Sequence, residues 1–171
     1  MLTGLLATAA LVGSLAVPLV PPPQGAAAVL ANVTAFNQPC VGFTSTTPQR
    51  LAATASTALR LLGWEVSSAV GPAFDASASL RLIAPAGAMY VHSHGDHYID
   101  PNTGARSSGF RVDAGACTNA AKVIAPQIAA QRSGAAPLPL AVVSTCHNGE
   151  RTSKLPGAFG IAMKKVAPGA S

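Results

Sequence analysis

Apolar and polar residues follow patterns along this chain that predict both helices and strands. The clearest pattern lies between Thr47 and Gly63, where leucine and alanine recur at helical spacing. Thr47 suits the N-cap, Pro48 suits the first helical position, and Gly63 provides a C-terminal stop. The other predicted elements are strands over 28–33, 65–70, 88–91 and 138–143, and helices over 75–82 and 119–132.

A stretch without a regular pattern separates the third strand from the last helix. Residues 96–118 contain Asp-Pro, Asn-Thr-Gly and Ser-Ser-Gly turn signals, and only residues 109–112 indicate a short extra strand. Pro126 is expected to kink or interrupt the helix that follows. Loops of this length in compact domains are typical of lids and binding loops, so we expect residues 96–118 to serve the functional site.

The order of the elements predicts the fold class. Strands that alternate with helices form parallel sheets, and the connecting helices cover both faces of the sheet. A chain of 171 residues suits one domain with a single core. We therefore predict a single three-layer α/β domain with a mostly parallel sheet and helices on both faces.

Composition restricts the kinds of partner. The net charge is +5, and charged residues make up only 10% of the chain. The basic residues are scattered between Arg50 and Lys165, and only Lys164 and Lys165 are adjacent. A nucleic-acid-binding surface needs positive charge clustered on one face, so we expect no nucleic-acid partner.

The first 28 residues differ from the rest of the chain. Residues 1–20 are apolar and uncharged, and a proline-rich stretch leads into the small-residue run at 25–28. This pattern is typical of a secretory leader, although the usual basic residues before the apolar segment are missing. A marginal membrane anchor and a terminal helix packed on the domain are the alternatives. We expect residues 1–28 to be a leader or anchor, residues 29–171 to be the domain, and the protein to be secreted or at the cell surface.

The chain has three cysteines, Cys40, Cys117 and Cys146. An odd number in an exported protein fits one disulfide and one free thiol. If Cys146 is the functional thiol, Cys40 and Cys117 remain to pair. Three unpaired and partly buried thiols are the alternative.

All four histidines lie in two clusters. Three occur in Tyr-Val-His-Ser-His-Gly-Asp-His at 90–97, and His147 directly follows Cys146. Each cluster comes after an apolar run that predicts a buried strand. Ligands and catalytic groups collect at the carboxyl ends of parallel strands, so an imidazole and a thiol at two such ends can face one substrate.

Together the clusters resemble the caspase-like (clan CD) cysteine peptidases, a group that includes caspases, legumains, gingipains and CHAT domains. In that family one apolar strand ends in His-Gly and a later one ends in Cys, similar to Val-His-Ser-His-Gly at 91–95 and Ala-Val-Val-Ser-Thr-Cys at 141–146. Cys-His-Asn-Gly at 146–149 is similar to the Cys-x-x-Gly of several members, and Leu-Leu-Gly-Trp-Glu-Val at 61–66 resembles the segment leading into their second strand. The resemblance covers residues 29 to about 160.

The resemblance implies a cysteine endopeptidase without a cofactor, acting on a peptide or protein substrate. The thiolate of Cys146 would attack the scissile carbonyl, and His94 would protonate the leaving amine. The backbone N–H groups of Gly95 and Cys146 match those with which the family stabilises the oxyanion. Asp96 and His147 are candidates for supporting roles.

The string His-Ser-His-Gly-Asp-His at 92–97 also resembles the His-x-His-x-Asp-His motif of the metallo-β-lactamase superfamily, which binds zinc and activates a water. In this alternative the zinc ligands are His92, His94, Asp96, His97 and His147. However, the upstream Asp-x-Gly strand and the separate later histidines of that family are missing, and its paired sheets do not fit the alternation of strands and helices. The sequence therefore favours a site without metal.

A third hypothesis is a catalytically inactive caspase-like binding domain. Only about 25 residues follow Cys146, whereas family members usually continue with elements that form the specificity pocket. We expect the chain to be truncated, to need a second subunit, or to have lost activity.

Overall fold

The computed structural model describes residues 25–37, 40, 42, 44–113, 121–147, 150 and 152–161. The strands are β1 (Ala26–Ala31), β2 (Glu65–Val70), β3 (Ala86–His92), β4 (Gly95–Ile99), β5 (Arg106–Arg111), β6 (Lys122–Ile124) and β7 (Leu140–Ser144). The helices are α1 (Thr47–Leu61), α2 (Ala76–Ile83), α3 (Ala125–Gln131) and α4 (Leu155–Ala158), and a 3-10 turn covers Thr34–Phe36.

Four parallel strands form the main sheet in the order β2-β1-β3-β7. On one face, Ala27 and Val29 pack against α1. On the other face, Leu30 and Val91 pack in a larger core with α2, α3 and α4. The predicted α/β class, with a parallel sheet between helical layers, is therefore confirmed.

The local signals that predicted α1 and α2 correspond to the ends of these helices. Pro48 lies in the first turn of α1, and Gly63 follows its last residues with a φ of +86°. The helix starts at Thr47 itself, so Thr46 takes the N-cap position, where its side chain makes no capping hydrogen bond. The carboxylate of Asp75 caps α2 by accepting the N–H of Ala78 at 2.6 Å.

The prediction of a long loop over residues 96–118 is wrong for the part that the structure describes. Here β4 and β5 form an antiparallel hairpin, and β6 pairs with β5 to complete a second, three-stranded sheet. This sheet is stabilised by burial: Phe110 in β5 is fully buried, and its ring lies 6.0 Å from that of Phe74. Phe74 precedes α2, so this contact joins segments that are distant in the sequence.

The helix predicted over 119–132 is shorter than expected. Residues 122–124 form β6 instead, and α3 begins at Ala125. Pro126 lies in the first turn of α3, where a proline costs no intrahelical hydrogen bond, so it starts the helix rather than kinking it.

The first strand includes the last three residues of the segment that was predicted as a leader. β1 starts at Ala26, and Ala28 is completely buried in the middle of that inner strand. Residues 26–28 therefore belong to the domain, while residues 1–24 lie outside the described residues. Across the ranges that the structure describes, no helix has the length and apolar character needed to cross a membrane.

Arg132, a buried residue at the end of α3, forms hydrogen bonds that link this helix to the rest of the domain. Nη1 of Arg132 donates to the carbonyl oxygens of Ile83 at 2.9 Å and Ala86 at 2.8 Å, and Nη2 donates to that of Ala136 at 2.7 Å. The residue is 7% exposed, and burial lowers the pKa of its guanidinium. The planar fork of the guanidinium thus satisfies three carbonyl groups at once.

We predict that Arg132→Lys lowers the free energy of unfolding by about 1–2 kcal/mol, because a lysine ammonium cannot reproduce this fork. Urea unfolding followed by circular dichroism measures the change. Arg81→Lys on the exposed side of α2 is the matched control and should change stability by less than about 0.5 kcal/mol. Equal stability of the two variants would contradict the role of the fork.

Candidate functional site

The carboxyl ends of β3 and β7 lie side by side. The two strands pair in parallel with His92 opposite Ser144, and Nδ1 of His92 lies 3.1 Å from Oγ of Ser144. The N–H of Ser93 donates to the carbonyl oxygen of Ser144 at 3.2 Å, so the pairing continues past β3. His94 and Cys146 each lie two residues beyond this pair. Both predicted catalytic residues therefore follow the ends of adjacent parallel strands.

His94 is held by the turn that follows β1. Its ring stacks on Phe36 with 4.4 Å between centroids, and the ring of His92 stacks on the same Phe36 at 4.9 Å. Burial lowers the pKa of His94, a hydrogen bond to the backbone of Ala35 opposes this shift, and Arg111 adds to the lowering. Burial and the neighbouring His94 also lower the pKa of His92. The two imidazoles thus share one face of the sheet, and their surroundings favour the neutral form.

Two buried polar side chains fix this turn. Asp113 accepts the N–H groups of Val33 at 2.7 Å and Thr34 at 2.5 Å, and the hydroxyl of Thr34 at 2.8 Å. The side-chain oxygen of Asn32 accepts the N–H of Ala35 at 3.0 Å. Asp113 and Asn32 therefore hold the backbone of the turn that carries Phe36.

Gly95 brings the start of β4 into direct contact with the segment that carries Cys146. A Cβ atom added at Gly95 would overlap the carbonyl oxygen of Cys146 and would lie 2.7 Å from Oγ1 of Thr145. The close approach of these two backbones therefore requires glycine at position 95.

Cys146 is an exposed free thiol, whereas Cys40 is disulfide-bonded. Cys117, the partner predicted for Cys40, lies outside the described residues. The Cys40–Cys117 pairing therefore stays a prediction.

A second group of side chains lies beside this strand-end site. His97 in β4, His147 and Glu150 hold their ligand atoms within 4.8 Å of one another. Oε2 of Glu150 accepts from Nε2 of His97 at 2.9 Å, and Oε1 accepts from Nδ1 of His147. These two hydrogen bonds lower the pKa of Glu150 to about 2, and the same carboxylate raises the pKa of His147. The three residues form one connected unit, which we call the His97/His147/Glu150 trio.

His147, a member of the trio, has an unusual backbone conformation. Its φ is +63°, and it has the only positive φ of a non-glycine residue among the residues that the structure describes. Such strained backbone positions are found preferentially at functional sites. This left-handed residue directly follows Cys146 in the chain.

The structure divides the predicted site residues into two sets. His92 and His94 stack on Phe36, whereas His97 and His147 meet at Glu150. The carboxylate of Asp96 accepts the N–H of His97 at 2.6 Å, a bond that fixes the local backbone of β4. The five residues of the metallo-β-lactamase alternative are therefore not one converging group among the described residues.

Sequence reasoning missed four residues of the site: Asn32, Phe36, Asp113 and Glu150. Glu150 had a usable signal, because it lies three residues after His147 in a segment already singled out for its histidine and cysteine. Asp113 had none, because its partners are about 80 positions away in the sequence.

Comparison with known proteins gives information on the fold. No protein-family model matches the chain, and no curated protein matches it. The chain is similar to the crystal structure of protein GSU0716 from Geobacter sulfurreducens, with a TM-score of 0.52 and 13% sequence identity. The match covers 84% of this chain and 67% of that chain. The likeness supports the α/β architecture and, at this identity, bears on the fold alone.

Proposed function

We propose that this protein is a cysteine-dependent peptide-bond hydrolase with a dyad of His94 and Cys146. One observation carries the proposal: the His94-Gly95 step and Cys146 follow the ends of two adjacent parallel strands, and Gly95 is packed against the backbone of Cys146. The free, exposed thiol is accessible to a substrate. The resemblance of the two motifs to caspase-like peptidases supports the same assignment.

The proposed reaction has two steps. In the first, the sulfur of Cys146 attacks the scissile carbonyl carbon while its proton passes to His94, and the protonated His94 then gives that proton to the leaving amine. In the second, water attacks the thioester, which releases the new carboxylate and restores the thiol. Neutral His94, favoured by its half-buried position against Phe36, is the form that accepts the first proton.

The negative charge that develops on the substrate oxygen needs N–H donors. We assign this role to the backbone N–H groups of Gly95 and Cys146, since an oxyanion hole needs fixed donors close to the nucleophile. The packing of Gly95 against the carbonyl oxygen of Cys146 supports this pairing, because it places the two backbone segments side by side.

The rate of reaction of Cys146 with an electrophilic probe tests the dyad. We expect iodoacetamide to label Cys146 in the folded protein at pH 7, and His94→Ala to slow this labelling at least about 10-fold, because the imidazole no longer receives the thiol proton. Mass spectrometry locates the label, and Cys146→Ala should give none at this site. The same chain in denaturant provides the intrinsic rate of the thiol.

Labelling that is no faster in the folded than in the denatured protein, and that is unchanged in His94→Ala, would contradict the dyad. That result would favour the catalytically inactive binding domain. A zinc-dependent activity that is lost in His92→Ala and kept in Cys146→Ala would instead favour the metallo-β-lactamase alternative.

A further inference from the structure

The His97/His147/Glu150 trio is not used by the proposed hydrolase, although it lies next to Cys146 in the chain. Its donors come from two parts of the chain: His97 lies in the regular strand β4, and His147 and Glu150 lie three residues apart after β7. Their ligand atoms lie within 4.8 Å of one another. Three donors that converge in this way, from two segments distant in the sequence, are the minimum that a metal site requires.

We propose that the His97/His147/Glu150 trio binds a divalent transition metal of the zinc type. Two imidazole nitrogens and one carboxylate oxygen form a donor set that suits zinc, whereas calcium and magnesium prefer sites made of oxygen atoms alone. The coordinating atoms would be Nε2 of His97, Nδ1 of His147 and a carboxylate oxygen of Glu150.

The geometry needs only small side-chain movements. In a tetrahedral zinc site with bonds of about 2.0–2.1 Å, the ligand atoms are about 3.3–3.5 Å apart. The trio already lies within 4.8 Å, and His147 and Glu150 are exposed, so rotation of their side chains can close the gap. The carboxylate of Glu150 already accepts a hydrogen bond from each imidazole. Zinc would take the place of the hydrogen atoms in these two bonds, because a ring nitrogen that binds zinc carries no proton.

The three ligands leave a fourth position open. Beside His97 the surface forms a pocket that is lined also by Arg106, Thr152 and Lys154. Two cationic side chains next to a bound divalent ion favour an anionic fourth ligand, such as a carboxylate or a phosphate. A bound metal would also fasten the segment after Cys146 to β4.

This site differs from the zinc ligands of the metallo-β-lactamase alternative, and the proposal is opposed to the expectation of a site without metal. Both sets contain His97 and His147, but only the trio contains Glu150, and only the metallo-β-lactamase set contains His92, His94 and Asp96. Single substitutions at the residues that are not shared therefore distinguish the two sets.

Titration of the full chain with zinc chloride, after removal of metal with a chelator, tests the proposal. We expect one zinc per chain, and an affinity that falls at least about 10-fold in His97→Ala, His147→Ala and Glu150→Gln. His92→Ala is the matched histidine control, and Glu65→Gln, at an exposed position in β2, is the matched carboxylate control. Both controls should keep the affinity of the unchanged protein.

Absorption of the cobalt-loaded protein provides a second measurement that does not depend on variants. We expect visible bands typical of four-coordinate cobalt without the strong near-ultraviolet band that a thiolate ligand produces. A strong thiolate band, binding that is not stoichiometric, or a loss of affinity in His92→Ala but not in Glu150→Gln would each overturn the proposal.

The metal site and the proposed hydrolase can fail separately. Cys146→Ala removes the nucleophile and should leave the zinc affinity unchanged. If zinc binds as expected and iodoacetamide labelling does not depend on His94, the metal site stands and the hydrolase does not. If the labelling depends on His94 and no zinc binds, the hydrolase stands and the metal site does not.

Discussion

Replacing Asp113 by alanine is expected to lower the free energy of unfolding by about 3 kcal/mol, because hydrogen bonds to a buried carboxylate are among the stronger ones in proteins. The residue is 3% exposed and accepts two backbone N–H groups and the hydroxyl of Thr34. Alanine removes all three bonds and leaves the N–H groups of Val33 and Thr34 without their acceptor. Urea unfolding followed by circular dichroism gives the change.

Two further variants separate the contributions of the hydrogen bonds that Asp113 accepts. Asp113→Asn keeps one acceptor oxygen and should cost less than Asp113→Ala, and Thr34→Val removes only the hydroxyl bond and should cost about 1 kcal/mol. The turn that Asp113 holds carries Phe36, which stacks on His94. Asp113→Asn should therefore also slow the labelling of Cys146. If Asp113→Ala, Asp113→Asn and Thr34→Val all have the same free energy of unfolding as the unchanged protein, the carboxylate does not hold this turn.

Replacing Gly109 by alanine is expected to destabilise the protein by about 2–3 kcal/mol, because the added methyl group has no space in the second sheet. Gly109 lies in β5, which pairs with both β4 and β6. A Cβ atom at this position would overlap the carbonyl oxygen of Val123 and would lie 3.0 Å from Cγ2 of Ile124. Relief would require the backbones of β5 and β6 to separate. Thermal and urea unfolding both measure the loss.

Gly157→Ala is the matched control for Gly109→Ala. Gly157 lies in α4, and a Cβ atom added there meets nothing within 4 Å. The change should leave stability unaltered or raise it by up to about 0.5 kcal/mol, because alanine restricts the unfolded chain more than glycine does. A similar loss in both variants would contradict crowding in β5 as the cause, because a methyl group at position 157 meets no neighbouring atom.

Local sequence predicted the elements whose ends carry their own signals. β2 has the predicted bounds, and α1 has Pro48 in its first turn and Gly63 just past its end, because helix ends and strand ends are determined by residues within a few positions. The β4–β5 hairpin had only partial signals, namely the turn residues of its loop and the short strand indicated at 109–112. Its strands contain buried Ser107 and Ser108 together with Phe110, so they lack the alternation of a half-buried strand. Its stability comes from Phe74 and the other sheet, which no local window includes.

The same distinction applies to the candidate site. The sequence placed His94 and Cys146 after two strands, and parallel pairing of β3 with β7 brings those strand ends together. It gave no role to Glu150, which accepts from a histidine 53 residues away. The sequence by itself therefore determined the α/β fold class, α1, β2 and the position of the two histidine clusters, because these follow from local spacing and end signals. Only the tertiary structure decided the second sheet, the support of His94 by Asp113 and the meeting of His97, His147 and Glu150, because these depend on contacts between segments that are distant in the sequence.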